Sequence, residues 1–205
     1  MAQDRPRVAA IVLAAGRGTR FAAQAGGAFK LLAPLRGVPL VRYVVQAALQ
    51  SRADPVVVVT GHEQERVSEA LAELPFITAH NPAFASGLSS SLKAGLAALS
   101  DQHIDGVLVL LADMPEISAV LCDRLIAVFS QDPSVEAVLP AHEGRRGNPV
   151  LLGRSLFGAL EALSGDEGAR RILATATRVL EVPVTDDTVT LDIDTPAALS
   201  LAEGR

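Results

Sequence analysis

Val8-Ala9-Ala10-Ile11-Val12-Leu13 followed by Ala14-Ala15-Gly16-Arg17-Gly18-Thr19-Arg20-Phe21 is the stretch on which the fold turns. Its first six residues are apolar and rich in β-branched side chains, the composition of a strand buried on both faces, and they end abruptly in a small, flexible, cationic loop. Runs of the same kind recur at Pro55 to Thr60, Val107 to Ala112 and Val135 to Leu139. Between them apolar residues take helical spacing: Val41, Val44, Val45, Ala48 and Leu49; Val67, Ala70, Leu71 and Leu74; Leu88, Leu92, Leu96 and Leu99; then Leu121, Leu125 and Val128. This alternation builds βαβ units, so the expected class is α/β, a doubly wound, mostly parallel sheet with helices on both faces. Ligands of such sheets bind outside the carboxyl ends of the strands, which directs attention to the residue that follows each run.

Composition narrows the function. The chain has 205 residues, 49% hydrophobic and 20% charged, enough apolar material for a substantial core, and one globular domain over residues 1–205 is expected. A net charge of -5, no Trp and one Tyr exclude a generic nucleic-acid surface or a base-stacking platform. Cys122 is the only cysteine, which excludes an internal disulfide, and its place near Leu121 and Leu125 reads as packing. The opening MAQDRPR lacks a signal-peptide core, and the apolar run Val107 to Ala112 is far short of the roughly 20 residues of a membrane span. A soluble, cytoplasmic monomer is the expectation. After Pro140 the pattern loosens into a Gly147-Asn148-Pro149 turn and short helical patterns at Leu156 to Leu163 and Glu167 to Leu173, expected to decorate the sheet. A last strand, Val179 to Val182, precedes a helix with Thr195 as N-cap and Pro196 at its first position.

The loop after the first strand reads as either a phosphate cradle or a tight turn. Glycines let backbone N–H groups approach phosphate oxygens, and Arg17 and Arg20 add charge-assisted donors. Two familiar nucleotide motifs fail here: Phe21 stands where the dinucleotide fingerprint needs its third glycine, and Lys30 is followed by Leu31 and Leu32 instead of the Ser or Thr of a P-loop. Lys30 still stands out, since among 18 basic residues only Lys30 and Lys93 are lysines. Asp113 directly follows Val107 to Ala112, where a carboxylate either holds a cation that bridges phosphates or caps the next helix. Asp192 and Asp194 are further candidates for a second carboxylate ligand, with turn structure as the alternative. In Gly87-Leu88-Ser89-Ser90-Ser91 the hydroxyls either cap a helix or bind a base or ribose. His62, after the second strand, either caps a helix or touches a ligand, and the scattered His80, His103 and His142 support no zinc site.

These residues carry a resemblance. Leu13 to Arg20, Lys30-Leu31-Leu32 and Gly37-Val38-Pro39-Leu40 resemble the signature of the molybdenum cofactor guanylyltransferase-like nucleotidyltransferases. The likeness continues through Val58 to His62, Asn81-Pro82, Gly87 to Leu92, Ala112 to Pro115, Gly147 to Val150, Gly165 to Arg170 and Asp192 to Pro196. Within that group the chain most resembles the molybdenum cofactor cytidylyltransferases. The resemblance implies a nucleotide-binding half over about residues 1–115 and an acceptor-side half over about 116–205. It implies that Leu13, Ala14, Ala15, Gly16, Arg17 and Gly18 hold the nucleotide, joined by Ser89 and Ser90, and that Arg20 and Lys30 reach its triphosphate. Asp113 would bind Mg2+, and Asn148 and Pro149 would lie toward the pterin. Alanine at position 15, where guanylyltransferase relatives typically carry glycine, points to CTP. The implied reaction joins CMP to the phosphate of molybdopterin for delivery to a molybdenum hydroxylase. A guanylyltransferase on the same cofactor, a sugar- or polyol-phosphate transferase and a non-catalytic nucleotide or cofactor chaperone are the alternatives. One departure marks this chain: Phe21 to Phe29 replaces the family's short Met-Gly link between arginine and lysine, and is expected to loop out with Lys30 in place.

Overall fold

The computed structural model describes residues 5–204. Its centre is β1 (Val8–Ala14), hydrogen-bonded in parallel to β4 (Val56–Thr60) on one side and β6 (Gly106–Leu111) on the other. Every residue of β1 is buried, and its side chains alternate between two cores as the pleat requires. Val8, Ala10, Val12 and Ala14 enter the core shared with α2 (Leu40–Gln50) and α5 (Ala119–Phe129). Ala9, Ile11, Leu13 and Ala15 enter the core shared with α4 (Leu88–Ala97), α6 (Phe157–Glu161) and α7 (Ala169–Leu173). Helices therefore cover both faces, which is the doubly wound arrangement.

The sheet continues outward with β5 (Ile77–His80) beyond β4, and with β9 (Val150–Gly153), β7 (Ala137–His142) and β10 (Val179–Pro183) beyond β6. β9 lies antiparallel between β6 and β7, and the two-residue β8 (Arg145–Arg146) pairs with β7. The chain after Pro140 is thus part of the sheet and not a decoration of it. β9 is fully buried, so Val150-Leu151-Leu152-Gly153 gains as much from the central position as a parallel strand would. A small ribbon of β2 (Pro34–Leu35) and β3 (Val38–Pro39) packs with α1 (Thr19–Gln24) and α8 (Pro196–Glu203) in a third cluster around Phe21, Leu35, Leu40 and Ile193. Thr195 caps α8 as expected, its hydroxyl accepting from the Ala198 N–H. Cys122 is fully buried, and desolvation followed by the neighbouring Asp123 charge pushes its thiol up to about 12, in keeping with a packing role.

Gly95 lets α4 settle close to β1 and β4. A Cβ there would stand 2.5 Å from Ile11 Cγ2 and 3.0 Å from Val59 Cγ2, both on strands whose side chains are pinned. Gly95→Ala is therefore expected to lower Tm, because overpacking costs about 1–3 kcal/mol and outweighs the helix-propensity gain of about 1 kcal/mol. Gly158→Ala in α6, where a Cβ meets nothing within 4 Å, is the control. Thermal denaturation of the two variants checks the sign.

Candidate active site

Asp113 sits one residue past the pairing of β6 with β1, which the Ala112 N–H extends by donating to the Leu13 carbonyl at 3.2 Å. Ser118 caps α5, accepting from the Leu121 N–H, so Asp113 has no capping role. The Asp113 carbonyl instead accepts from the Ile193 N–H at 2.9 Å, which holds the residues on either side of Ile193 against the strand end. The Asp113, Asp192 and Asp194 carboxylates consequently converge, with one oxygen of each within 4.8 Å of the others. The approach to this segment is fixed at Val189, whose carbonyl accepts from the Asn148 N–H at 2.8 Å. Gly147 packs so closely that a Cβ would lie 2.4 Å from the same carbonyl oxygen. Asn148 and Pro149 thus stand where the turn before β9 braces the segment carrying Asp192 and Asp194.

The residues between the motif arginine and lysine do not loop out as an irregular excursion. Arg20 and Phe21 begin within α1, a turn over 25–27 reverses the chain, and buried Phe21 and Phe29 anchor its two ends. Lys30 then opens a single 3-10 turn, Lys30–Leu32. Gly18, at φ 59°, admits the lysine stem, since a Cβ there would lie 2.9 Å from Lys30 Cβ. The Lys30 ammonium donates to Asp113 Oδ2 at 2.6 Å and to Asp194 Oδ1 at 2.8 Å, while Arg20 donates to Asp194 Oδ2 at 2.8 Å.

Three carboxylates against two cations leave the cluster one negative charge in excess. Burial works against the charged form of Lys30, yet the Asp113 and Asp194 carboxylates overcome it and hold the pKa above that of an ordinary lysine. The Lys30 hydrogen bond, assisted by Arg20, depresses Asp194 despite partial desolvation. At Asp192, desolvation of its carboxyl, although the residue as a whole is exposed, and repulsion from Asp194 and Asp113 outweigh the attraction of Lys30 and raise its pKa. All the donors are hard oxygens, as a divalent cation of the magnesium or manganese type requires.

The loop that faces these charges is divided by burial. Leu13, Ala14 and Ala15 are buried, whereas Gly16, Arg17 and Arg20 are exposed and Gly18 is half-buried. Ala15 accepts from the His62 N–H at 3.2 Å through its carbonyl, and its methyl leaves no room for a side chain on Gly61, where a Cβ would lie 2.9 Å away. His62 does not cap α3 (Gln64–Ala70), whose N-cap is Glu63; its ring lies between Phe29 and Phe84, at 5.4 and 5.9 Å. Arg17 stacks over Phe84 at 5.5 Å. Ser89 is buried and its hydroxyl donates to the Gly165 carbonyl at 2.8 Å. Ser90 accepts from Asn81 Nδ2 at 2.9 Å, and Ser91 from the same nitrogen at 3.0 Å. Asn81 and Phe84 are thus part of this rim without having been assigned a role from the sequence; the pairing of Asn81 with Pro82 in the family signature was the available signal.

A doubly wound sheet whose first strand opens into a cationic glycine loop, set against a carboxylate cluster at the neighbouring strand's end, is an arrangement suited to phosphates. The model of the MobA-like NTP transferase domain matches residues 10–181, and the chain belongs to that family. It is 31% identical to the purine catabolism protein PucB of Bacillus subtilis (strain 168), over 93% of each chain. It is 30% identical to the nicotine blue oxidoreductase of Paenarthrobacter nicotinovorans, over 94% of each. The structure of Rv0371c from Mycobacterium tuberculosis H37Rv in complex with manganese superposes with a TM-score of 0.80 at 25% identity, covering 97% of this chain and 98% of that one. Among the described residues no helix is long and apolar enough to cross a membrane.

Crowding at Asp192 has a measurable sign. A pKa raised by folding means that the ionised form costs stability as pH rises through the raised value, a cost absent below the ordinary carboxylate range. Asp192→Asn is therefore expected to raise the Tm of the metal-free protein at pH 7, with the advantage fading toward pH 3. A differential scanning calorimetry series across that range checks it.

Proposed function

We propose that the chain is a Mg2+-dependent cytidylyltransferase that transfers CMP from CTP to the phosphate of molybdopterin and releases pyrophosphate. The observation that carries this reading is the meeting of Arg20 and Lys30 with Asp113 and Asp194 beside the exposed turn Gly16 to Gly18. An oxygen of the acceptor phosphate attacks the α-phosphorus in line, and the bond from that phosphorus to the bridging oxygen of the β-phosphate breaks. The acceptor phosphate is already anionic near neutral pH, so no side chain need remove a proton and no covalent enzyme intermediate is required.

Backbone N–H groups of Gly16, Arg17 and Gly18 are suited to hold phosphate oxygens, and Arg20 and Lys30 offset charge that builds on the departing pyrophosphate. Asp113, with Asp194 and Asp192, would hold Mg2+, which supplies Lewis-acid stabilisation of the phosphoryl oxygens when bound. Ser90 would lie on the base side, held by buried Asn81, with Ser89 fixing the start of α4 beside it. Alanine at position 15, as in the cytidylyltransferases that the chain resembles, supports the choice of CTP over GTP. Asn148 and Pro149 mark the acceptor side, and a molybdenum hydroxylase is the proposed recipient of the product.

Pyrophosphate release with Mg2+ and molybdopterin, run in parallel with CTP, GTP, ATP and UTP, is expected to be strongest with CTP. Preference for GTP would replace cytidylyl by guanylyl transfer, while CTP turnover only with a sugar or polyol phosphate would replace the acceptor. Binding of CTP without any pyrophosphate release would leave a chaperone. Asp113→Ala is expected to lower kcat by at least about 10³-fold with the circular dichroism spectrum unchanged. Near-normal turnover of this variant with Mg2+ present would overturn the metal assignment.

A further inference from the structure

Lys30 occupies an unusual position for a residue assigned to phosphate binding. It is the single buried lysine among the described residues, and both of its recorded partners are carboxylates of the proposed metal set. An ammonium 2.6 Å from Asp113 Oδ2 and 2.8 Å from Asp194 Oδ1 supplies locally the positive charge that a divalent cation would bring to the same carboxylates. The two cannot share these oxygens without like-charge repulsion, which the burial of the lysine side chain strengthens.

We propose that Lys30 is a resident counter-ion that keeps the carboxylate cluster closed to free divalent metal, and that its ammonium leaves Asp113 and Asp194 for the nucleotide phosphates when metal and nucleotide enter together. This rests on the metal reading given above and adds to it an exchange of one cation for another. The stem is fixed at its root, where Lys30 Cβ packs against Gly18, so the chain position stays put. Beyond that root three further carbons carry the ammonium, and a phosphate group in the Gly16 to Gly18 turn offers it new acceptors. Arg20 has donors enough to face the phosphates while still bonding Asp194 Oδ2, which would leave Asp194 a partner during the exchange. On arrival of a metal–nucleotide complex the metal takes over the neutralisation of the carboxylates, and the incoming phosphates bring the anions that the displaced ammonium needs. Free metal brings none, and its entry leaves Lys30 without a partner. The device therefore couples metal affinity to nucleotide affinity, and such coupling is reciprocal.

The chain's two lysines make the exchange directly visible. In a 15N-lysine-labelled sample the Lys30 ammonium, held by two carboxylates, is expected to give a protected proton–nitrogen signal, and Lys93→Arg identifies it by elimination. Mg2+ added alone is expected to shift this signal only at high concentration, while Mg2+ with CTP shifts it at much lower concentration. In parallel, Mn2+ binding without nucleotide is measured by isothermal titration calorimetry, and Lys30→Met is expected to bind about tenfold tighter than the unaltered protein. Should Lys30→Met fail to fold, the magnetic resonance titration of the unaltered protein decides alone. Equal Mn2+ affinity in both proteins, or a Lys30 signal that stays in place while Mg2+ fills its site, would overturn the exchange and leave the metal reading intact. Absence of Mn2+ binding in both proteins overturns the exchange and the metal reading together. Failure of CTP turnover with normal Mn2+ binding would instead count against the cytidylyl reading alone.

Discussion

An ammonium held between two carboxylates that lie 83 and 164 residues away along the chain ties the ends of the molecule to one point. Burying that charge is costly unless its partners are placed well, and losing one partner would leave a charge uncompensated in a shielded site. Much of the surrounding architecture can be understood as meeting this requirement. β6 delivers Asp113, the Ile193 N–H bond to the Asp113 carbonyl aligns the segment bearing Asp194, and Gly18 clears the space through which the lysine stem passes. The site is assembled by backbone contacts first and completed by charge.

Close approach recurs as the means of assembly. Gly95 lets α4 settle onto Ile11 and Val59, Gly147 lets the turn before β9 meet Val189, and Gly61 lets the end of β4 meet Ala15 and Phe84. Each replaces side-chain volume with direct contact between elements, so the loop and the carboxylates are positioned by rigid neighbours. Arg17 over Phe84, and His62 between Phe84 and Phe29, extend this support to the outer rim of the loop.

The central strands are legible because they are buried on both faces, which leaves uninterrupted runs such as Val56-Val57-Val58-Val59. β5 has no such run: it is an edge strand with only Ala79 buried, and nothing in Ile77-Thr78-Ala79-His80 separates it from a loop. β9 is buried throughout, but four residues after a turn do not reveal that they will insert antiparallel between two strands made earlier, so the part played by the second half in the sheet was hidden. The site follows the same division. Asp113 is marked by the strand it ends, and Lys30 by the rarity of lysine. Asp192 and Asp194 stand in a turn-rich segment whose return to Asp113 depends on Val189 and Ile193, contacts that local sequence does not encode. Helical periodicity after Thr19 was likewise too short to show that the residues before Lys30 begin with a helical turn.

The spacing of these charges also gives the site a history during synthesis. Lys30 and Asp113 are both made well before Asp194, and at ribosomal speeds of about 5–20 residues per second the 164-residue interval lasts roughly 10–30 s. For about the first half of that interval neither carboxylate has been made, and for the rest only Asp113 is within the lysine's reach, so the loop it anchors faces a half-built pocket. A growing chain can therefore form the central strands early while its phosphate-handling charges remain unbalanced, and the last carboxylate to emerge is the one that locks them.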